Sequence, residues 1–415
     1  MEQTGKKRHM LSTIFVALFI ATEAINMIAT RALPVSGSFM SAFYALTGVG
    51  IIVSFILTGG FHRFKIRFQH FVGIIVVTLY YLITYLIIGG SSLSISFFFV
   101  FVLLPLLIPI LVEIDVKPLL RLVFVIPSFG ALRASSILLL TSRNAMTMGD
   151  CYALLIPIIA ALTYLMMFYK EDKHTTKYIL LPSLIVNFVY LMRIILFGSR
   201  GPIFSVILCF VFLALFRRNG YGDEKKQLWK MIVFTVLIAL FILFFWEILQ
   251  FVSDIASRIG LNIRAIDKIY MYRQTTTIWN GRESIGAEAI AGISERPILG
   301  HGISTFFKNT GIIYPHNFIL QVLYDGGILL FATLIIPLIV GTIQMIRHGE
   351  KKEFALFCAL FFASVPGALF SGDCWKNGCL WLLIGFIIAG KLPSHNTENG
   401  ESIHAYRHTN FSSLT

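Results

Sequence analysis

Stretches of about 20 mostly apolar residues recur along this chain, and that is the length a helix needs to cross a bilayer. They run over residues 10–30, 39–60, 71–90, 95–112, 119–141, 151–169, 178–197, 201–216, 231–250, 326–346, 353–371 and 378–390. Composition agrees. Hydrophobic residues make up 57% of the 415 positions and charged residues 13%, against roughly 45–50% and 25% in soluble domains. A soluble fold could not hide so much apolar surface, whereas lipid tails solvate it. Isolated strands would leave backbone groups unpaired in lipid, so the spans have to be helices. The sequence predicts an all-α, polytopic membrane protein of about 12 transmembrane helices, with one large outer loop between late spans.

The net charge of +13 would suggest nucleic acid in a soluble protein. Here Lys and Arg gather on one side. With the N-terminus inside, the segments 6–9, 61–70, 113–121, 170–177, 217–230, 347–353 and the tail from 391 hold about 21 of the 34 basic residues. The short outer connections hold Arg31, Arg143, Arg200 and Lys376. This asymmetry is the positive-inside signature, and it places both termini in the cytoplasm with no role for nucleic acid. Lys6, Lys7 and Arg8 precede the first apolar run without a small-residue cleavage site, so that run is expected to stay as the first span. Cys151, Cys209 and Cys358 fall in apolar helices as packing residues. Cys374 and Cys379 flank a short outer loop and read as two thiols, with a disulfide as the alternative. No metal-ligand spacing occurs.

The chain divides into spans 1–9 over residues 1–250, an outer loop over 251–325, spans 10–12 over 326–390 and a polar tail over 391–415 expected to be disordered. The loop is too polar to span and too long for a turn, and loops of that length in a compact protein are usually functional. Its Tyr270, Tyr272, Trp279, Phe306, Phe307 and Tyr314 predict an ordered segment.

Charges inside spans are functional candidates by default. Glu23, Arg133 and Arg193 are three such residues, each in the outer third of its span. The competing reading is a structural ion pair of Glu23 with Arg133 or Arg193. Arg193 and Arg200 are two turns apart, on one face if the helix continues that far.

Gly198-Ser199-Arg200-Gly201-Pro202 breaks two spans on the outer face. Pro202 suits a first helical turn. A helix start with free N–H groups and a forked cation can grip an anion, although a tight turn with a snorkelling Arg fits the same residues. The long loop adds Trp279-Asn280-Gly281-Arg282, where Arg282 could hold a second phosphate bidentately. Pro297-Ile298-Leu299-Gly300-His301-Gly302 allows a backbone concavity. Tyr314-Pro315-His316-Asn317 opens an apolar helix. An imidazole there can accept a proton near neutral pH, while capping or packing is the plainer use. His301, flanked by glycines, is a weaker alternative base.

Taken together, Gly198-Ser199-Arg200-Gly201, Asn280-Gly281-Arg282, the run 297–302, His316-Asn317-Phe318-Ile319-Leu320-Gln321 and Tyr324-Asp325-Gly326-Gly327-Ile328 resemble the bacterial O-antigen ligase and polymerase superfamily. The resemblance covers residues 198–330. It implies a metal-independent, inverting glycosyltransferase without a cofactor. Such an enzyme moves an undecaprenyl-diphosphate-linked glycan to a sugar hydroxyl at the outer face of the bacterial inner membrane. By the same resemblance, Arg200 and Arg282 would hold the diphosphate and His316 would deprotonate or orient the acceptor hydroxyl. Arg193, Arg264, Arg273, Tyr314 and Asn317 would contact diphosphate or sugar. The implied partners are the lipid-linked donor, the glycan acceptor, membrane lipids and other envelope polysaccharide assembly proteins. Where members often carry an aromatic residue after Gly-Arg, this chain has Ser284, Ile285 and Ala287.

A repeat-unit polymerase for O-antigen, capsule or exopolysaccharide is the reading preferred from the sequence. A ligase to lipid A core or to a protein uses the same donor chemistry. A flippase for a lipid-linked sugar is the alternative from another class, but no repeated halves of the transporter kind are seen.

Overall fold

The computed structural model describes residues 2–32, 38–58, 68–88, 93–129, 146–216, 224–258, 260 and 282–389. These form α1 (Glu2–Ala32), α2 (Ser38–Leu57), α3 (Phe68–Ile83), α4 (Ile95–Leu111), α5 (Val116–Phe129), α6 (Met148–Met167), α7 (His174–Phe197) and α8 (Arg200–Phe216). They continue as α9 (Glu224–Leu243), α10 (Phe245–Arg258), α11 (Arg282–Glu295), α12 (Phe306–Thr310), α13 (Phe318–His348), α14 (Lys351–Phe370) and α15 (Gly378–Ile388). Among the described residues the regular structure is helical throughout, as the apolar runs require.

Five stretches, His9–Thr30, α6, α7, α13 and α14, are long and apolar enough to cross a membrane. Shorter apolar helices lie at Ser41–Leu57, His70–Leu86, Ile95–Leu111, Arg200–Phe216 and Gly378–Ile388. The expected span over 119–141 is helical to Phe129, and its remainder lies outside the described residues, as does the tail from 391. The ninth run differs from expectation. It breaks at Phe244 into α9 and α10. The second piece carries Glu247, Gln250, Asp254 and Ser257 at three- and four-residue spacing, which puts a polar stripe on one face.

The packing centre is the pair α6 and α14, whose apolar surfaces are mostly buried. Around them sit α1, α5, α8 and α15. Pro105 and Pro109 within α4, Pro157 in α6 and Pro366 in α14 are tolerated because neighbouring helices cover the freed backbone.

Loops that the charge pattern assigns to one side do meet at one end. His9 lies 3.4 Å from Glu113, and the backbone N–H of Asp115 donates to Thr13. Lys117 Nζ is 2.7 Å from Asp172 Oδ1, Arg121 also pairs with Asp172, and Lys351 pairs with Glu171. Burial alone would raise the Asp172 carboxyl. The bonds from Lys117 and Tyr164 and the charge of Arg121 outweigh it and hold the group below its ordinary value.

At the opposite end the expected long loop is largely helical where it is described. A small apolar cluster of Ala289 from α11, Phe306 from α12 and Tyr324 from α13 forms beside the main core. Asn309 Nδ2 donates to the Tyr324 hydroxyl at 2.8 Å.

The motif runs 297–302 and 324–328 lie against each other, backbone to backbone. His301 N donates to Tyr324 O at 2.9 Å, Gly302 N to Asp325 O at 2.7 Å and Ile328 N to Pro297 O at 2.9 Å. Gly300 and Gly327 both have positive φ, and a Cβ on either would strike the partner backbone at 2.6 and 2.3 Å. Gly327 interrupts α13 with non-helical dihedrals. The Gly300 region is therefore filled by a neighbouring chain segment, and the concavity expected there is taken up by Asp325 and Gly326.

Candidate functional site

Each of Arg200, Arg282, Tyr314 and His316 is placed by a local device. Gly198 ends α7, where an added Cβ would meet the Ile194 carbonyl at 2.5 Å and Cys151 Sγ at 2.9 Å. Arg200 is the first residue of α8 and is exposed. Gly201 is required because a Cβ there would lie 2.1 Å from the Tyr152 hydroxyl. One turn beyond Arg200, Phe204 packs edge-on against Phe370 with ring centroids 5.3 Å apart.

Arg282 opens α11 and reaches the same place from the other direction. Its Nη1 donates to Phe370 O at 2.5 Å and its Nη2 to Ser371 Oγ at 3.3 Å. The guanidinium thus engages the C-terminal end of α14, where helix carbonyls lack intrahelical donors. Tyr314 donates its hydroxyl to Ser371 O at 2.9 Å. Burial and the nearby Asp373 push its phenol up, against the opposing charge of Arg282, so it stays a donor.

His316 stands beside Tyr314, ring centroids 4.4 Å apart. Its φ is +57°, a left-handed backbone that non-glycine residues rarely hold and that clusters at functional sites. Nδ1 is buried and has no hydrogen-bond partner among the described residues. Burial first, and the Arg282 cation second, lower its pKa. Both effects favour the neutral imidazole, the form that accepts a proton. Arg282 also acts electrostatically on Tyr152.

The structure therefore brings Arg282, His316 and Tyr314 into one cluster. Arg200 comes to its edge through Gly201–Tyr152 and Phe204–Phe370. Asn317 is different: its side-chain oxygen accepts from the N–H groups of Ile319 and Leu320 and caps α13. Arg193 is buried, with its guanidinium 5.8 Å from the Phe197 ring centre. The expected ion pair between Glu23 and Arg193 does not form. Arg133, Arg264 and Arg273 lie outside the described residues. His301 packs into the fold: its Nε2 donates to Gly292 O at 2.8 Å and its ring stacks on Tyr324 at 4.5 Å. All five cysteines are free thiols, Cys374 and Cys379 included.

Sequence reasoning did not name Tyr152 or Ser371, and it named Asp325 only as a member of the run 324–328. Asp325 is fully buried, its Oδ2 accepting from Trp375 Nε1 at 2.5 Å. It ties the 297–305 segment to the loop after α14. Gln321 ties α13 to the same loop, its Nε2 donating to Asp373 Oδ1 at 2.7 Å and its Oε1 accepting from Cys374 N at 3.0 Å. Only the acidic residue within the run 324–328 could have drawn attention to this bracing.

Two guanidinium groups at helix starts and a neutral imidazole suit an anionic leaving group and a hydroxyl to be deprotonated. Comparison with protein families decides between unrelated uses of such a cluster. The family model described as O-Antigen ligase matches residues 185–335. That segment is similar to the O-antigen ligase family. The match starts within α7 and ends within α13, so it spans Arg200, Arg282 and His316. It agrees with the resemblance read from the motifs over 198–330. No curated protein matches the chain. This similarity, with the apolar helices, supports a glycan-processing role in a membrane-embedded protein.

Proposed function

We propose that the chain is a metal-independent, inverting glycosyltransferase that moves an undecaprenyl-diphosphate-linked glycan to a sugar hydroxyl. Arg282 and Arg200 would stabilise charge developing on the diphosphate, and His316 would take the acceptor proton. The observation that carries this reading is the gathering of the half-buried His316, Tyr314 and the Arg282 guanidinium around Ser371, where burial and the Arg282 charge lower the imidazole's pKa. A base must be unprotonated to work, and a nearby cation keeps it so. Fixed guanidinium groups supply transition-state charge stabilisation without a metal. The flippase reading gains no support from this pairing.

We place the site at the outer face of the inner membrane, with both termini cytoplasmic. The convergence of the basic loops at the opposite end of the bundle supports that orientation. A repeat-unit polymerase remains the preferred acceptor reading. The ligase is the second, and the description of the matched family favours it. Deletion of the gene separates them. Single repeat units linked to the final acceptor mark a lost polymerase, and long chains left on the lipid carrier mark a lost ligase. Unchanged polysaccharide would overturn both.

A further inference from the structure

A cavity of roughly 170 Å³ lies between α1, α2, α6, α14 and the loop that follows α14. Its polar lining comes from Glu23, Tyr44, Tyr152, Asp373, Lys376 and Asn377. It is several times the ~30 Å³ a water occupies in the liquid, a size that suits one six-membered ring. Two features join it to the cluster already described. Tyr152 forms part of its wall while lying within electrostatic reach of Arg282. The backbone from Ser371, which holds Arg282 and Tyr314, runs directly into the lining residues Gly372 and Asp373.

Glu23 is the unusual member. It sits deep in the bundle, and among the described residues no hydrogen bond or ion pair reaches its carboxylate. Tyr44 and Cys379 lie within its electrostatic reach. An acidic group placed in a membrane bundle without a partner is costly and marks a functional position. The cavity is unsuited to a diphosphate. It holds two acidic residues, and its one lysine is engaged with Asp373 at 3.6 Å. It is unsuited to a lipid tail, which would strand the carboxylate. A neutral, hydroxyl-rich ring meets both conditions, because hydroxyls can donate to Glu23 and aromatic rings can cover the apolar ring faces. Tyr44 and Tyr152 would then supply the aromatic wall that Ser284, Ile285 and Ala287 lack.

We infer that this cavity is a sugar subsite in which Glu23 accepts hydrogen bonds from the hydroxyls of a glycosyl ring. Donor and acceptor both offer such a ring. Only the assignment to one of them rests on the transferase reading; binding itself does not.

The test uses the full chain in lipid nanodiscs, with methyl glycosides of common hexoses, deoxyhexoses and N-acetylhexosamines as probes in saturation-transfer NMR. At least one glycoside is expected to bind the wild type and His316→Ala equally. Glu23→Gln should weaken that binding about tenfold, the gap between a charge-assisted and a neutral hydrogen bond. Ala363→Phe, which fills the cavity from α14, should abolish it. Each variant is compared only after its thermal transition matches the wild type, and Ala363→Phe stands in if Glu23→Gln does not fold. No binding by any glycoside, or equal binding by wild type and both variants, overturns the inference. In transfer assays, a raised KM confined to the acceptor assigns the ring to the acceptor, and one confined to the donor assigns it to the donor. Unchanged KM for both overturns the subsite. Full transfer activity in His316→Ala would instead defeat the proposed function while leaving the binding result intact.

Discussion

Arg282 reaches 88 residues along the chain to the carbonyl of Phe370. One arm of the guanidinium therefore braces the end of α14 and the other lies at Ser371 Oγ, beside the imidazole it helps to keep neutral. Lysine retains the charge but has no planar fork. Arg282→Lys should lower donor turnover at least ~10-fold, the usual scale for a lost charge-assisted hydrogen bond. Near-normal turnover in a steady-state assay would reduce Arg282 to a point charge. A thermal scan of the same variant reports how much of the loss comes from α14.

His316→Ala removes the proposed base and leaves the turn in place. Transfer should fall at least ~100-fold, typical for an acid–base group, while membrane insertion and thermal transition stay close to wild type. Wild-type product yield from an inserted variant would remove the base assignment.

Because burial and Arg282 both lower the His316 pKa, the neutral base persists below the ordinary value of 6.5. Activity limited by this group should be complete above that value and fall only as pH drops through the lowered pKa. Arg282→Gln removes a cation that disfavours the protonated ring, so its acidic limb should move to higher pH. A pH profile of kcat/KM for both proteins measures this, and a limb that fails to shift would place the two side chains outside each other's field.

Gly300→Ala and Gly327→Ala each put a Cβ into backbone at a positive φ. The first meets Asp325 and the second Ile298. Each should cost about 2 kcal/mol or more, since strain and overpacking act together, and should lower the thermal transition of purified protein. Gly286→Ala, with open space around its Cα, is the control expected to leave it unchanged.

The helical architecture and the meeting of basic loops at one end were readable because both depend on summed composition. Local irregularities such as the break at Phe244 hardly alter those sums. His316 and Arg282 were readable as residue types at helix starts. Their mutual field was not, since it depends on how α11 and the 314–316 turn approach α14. Asn317 shows how one motif residue can carry a structural duty: its side-chain oxygen caps α13 through the Ile319 and Leu320 N–H groups, which the motif alone did not specify. The glycines at 300 and 302 suggested an open cradle, but a sequence does not reveal which segment comes to fill one. Glu23 also admitted an ion pair with Arg133 or Arg193; none forms with Arg193, and Arg133 lies outside the described residues.

The junction of segment 297–302 with residues 324–329 has a consequence for depth. Its contacts run backbone to backbone, which turns Ile298, Leu299, Ile328 and Leu329 outward, each more than half exposed. Four greasy side chains on one rim are at ease only against acyl chains. The rim would act as a waterline, fixing the height at which the protein floats. Residues 314–316, at the entry to the same helix, would then rest among the headgroups, where a lipid carrier presents its phosphates.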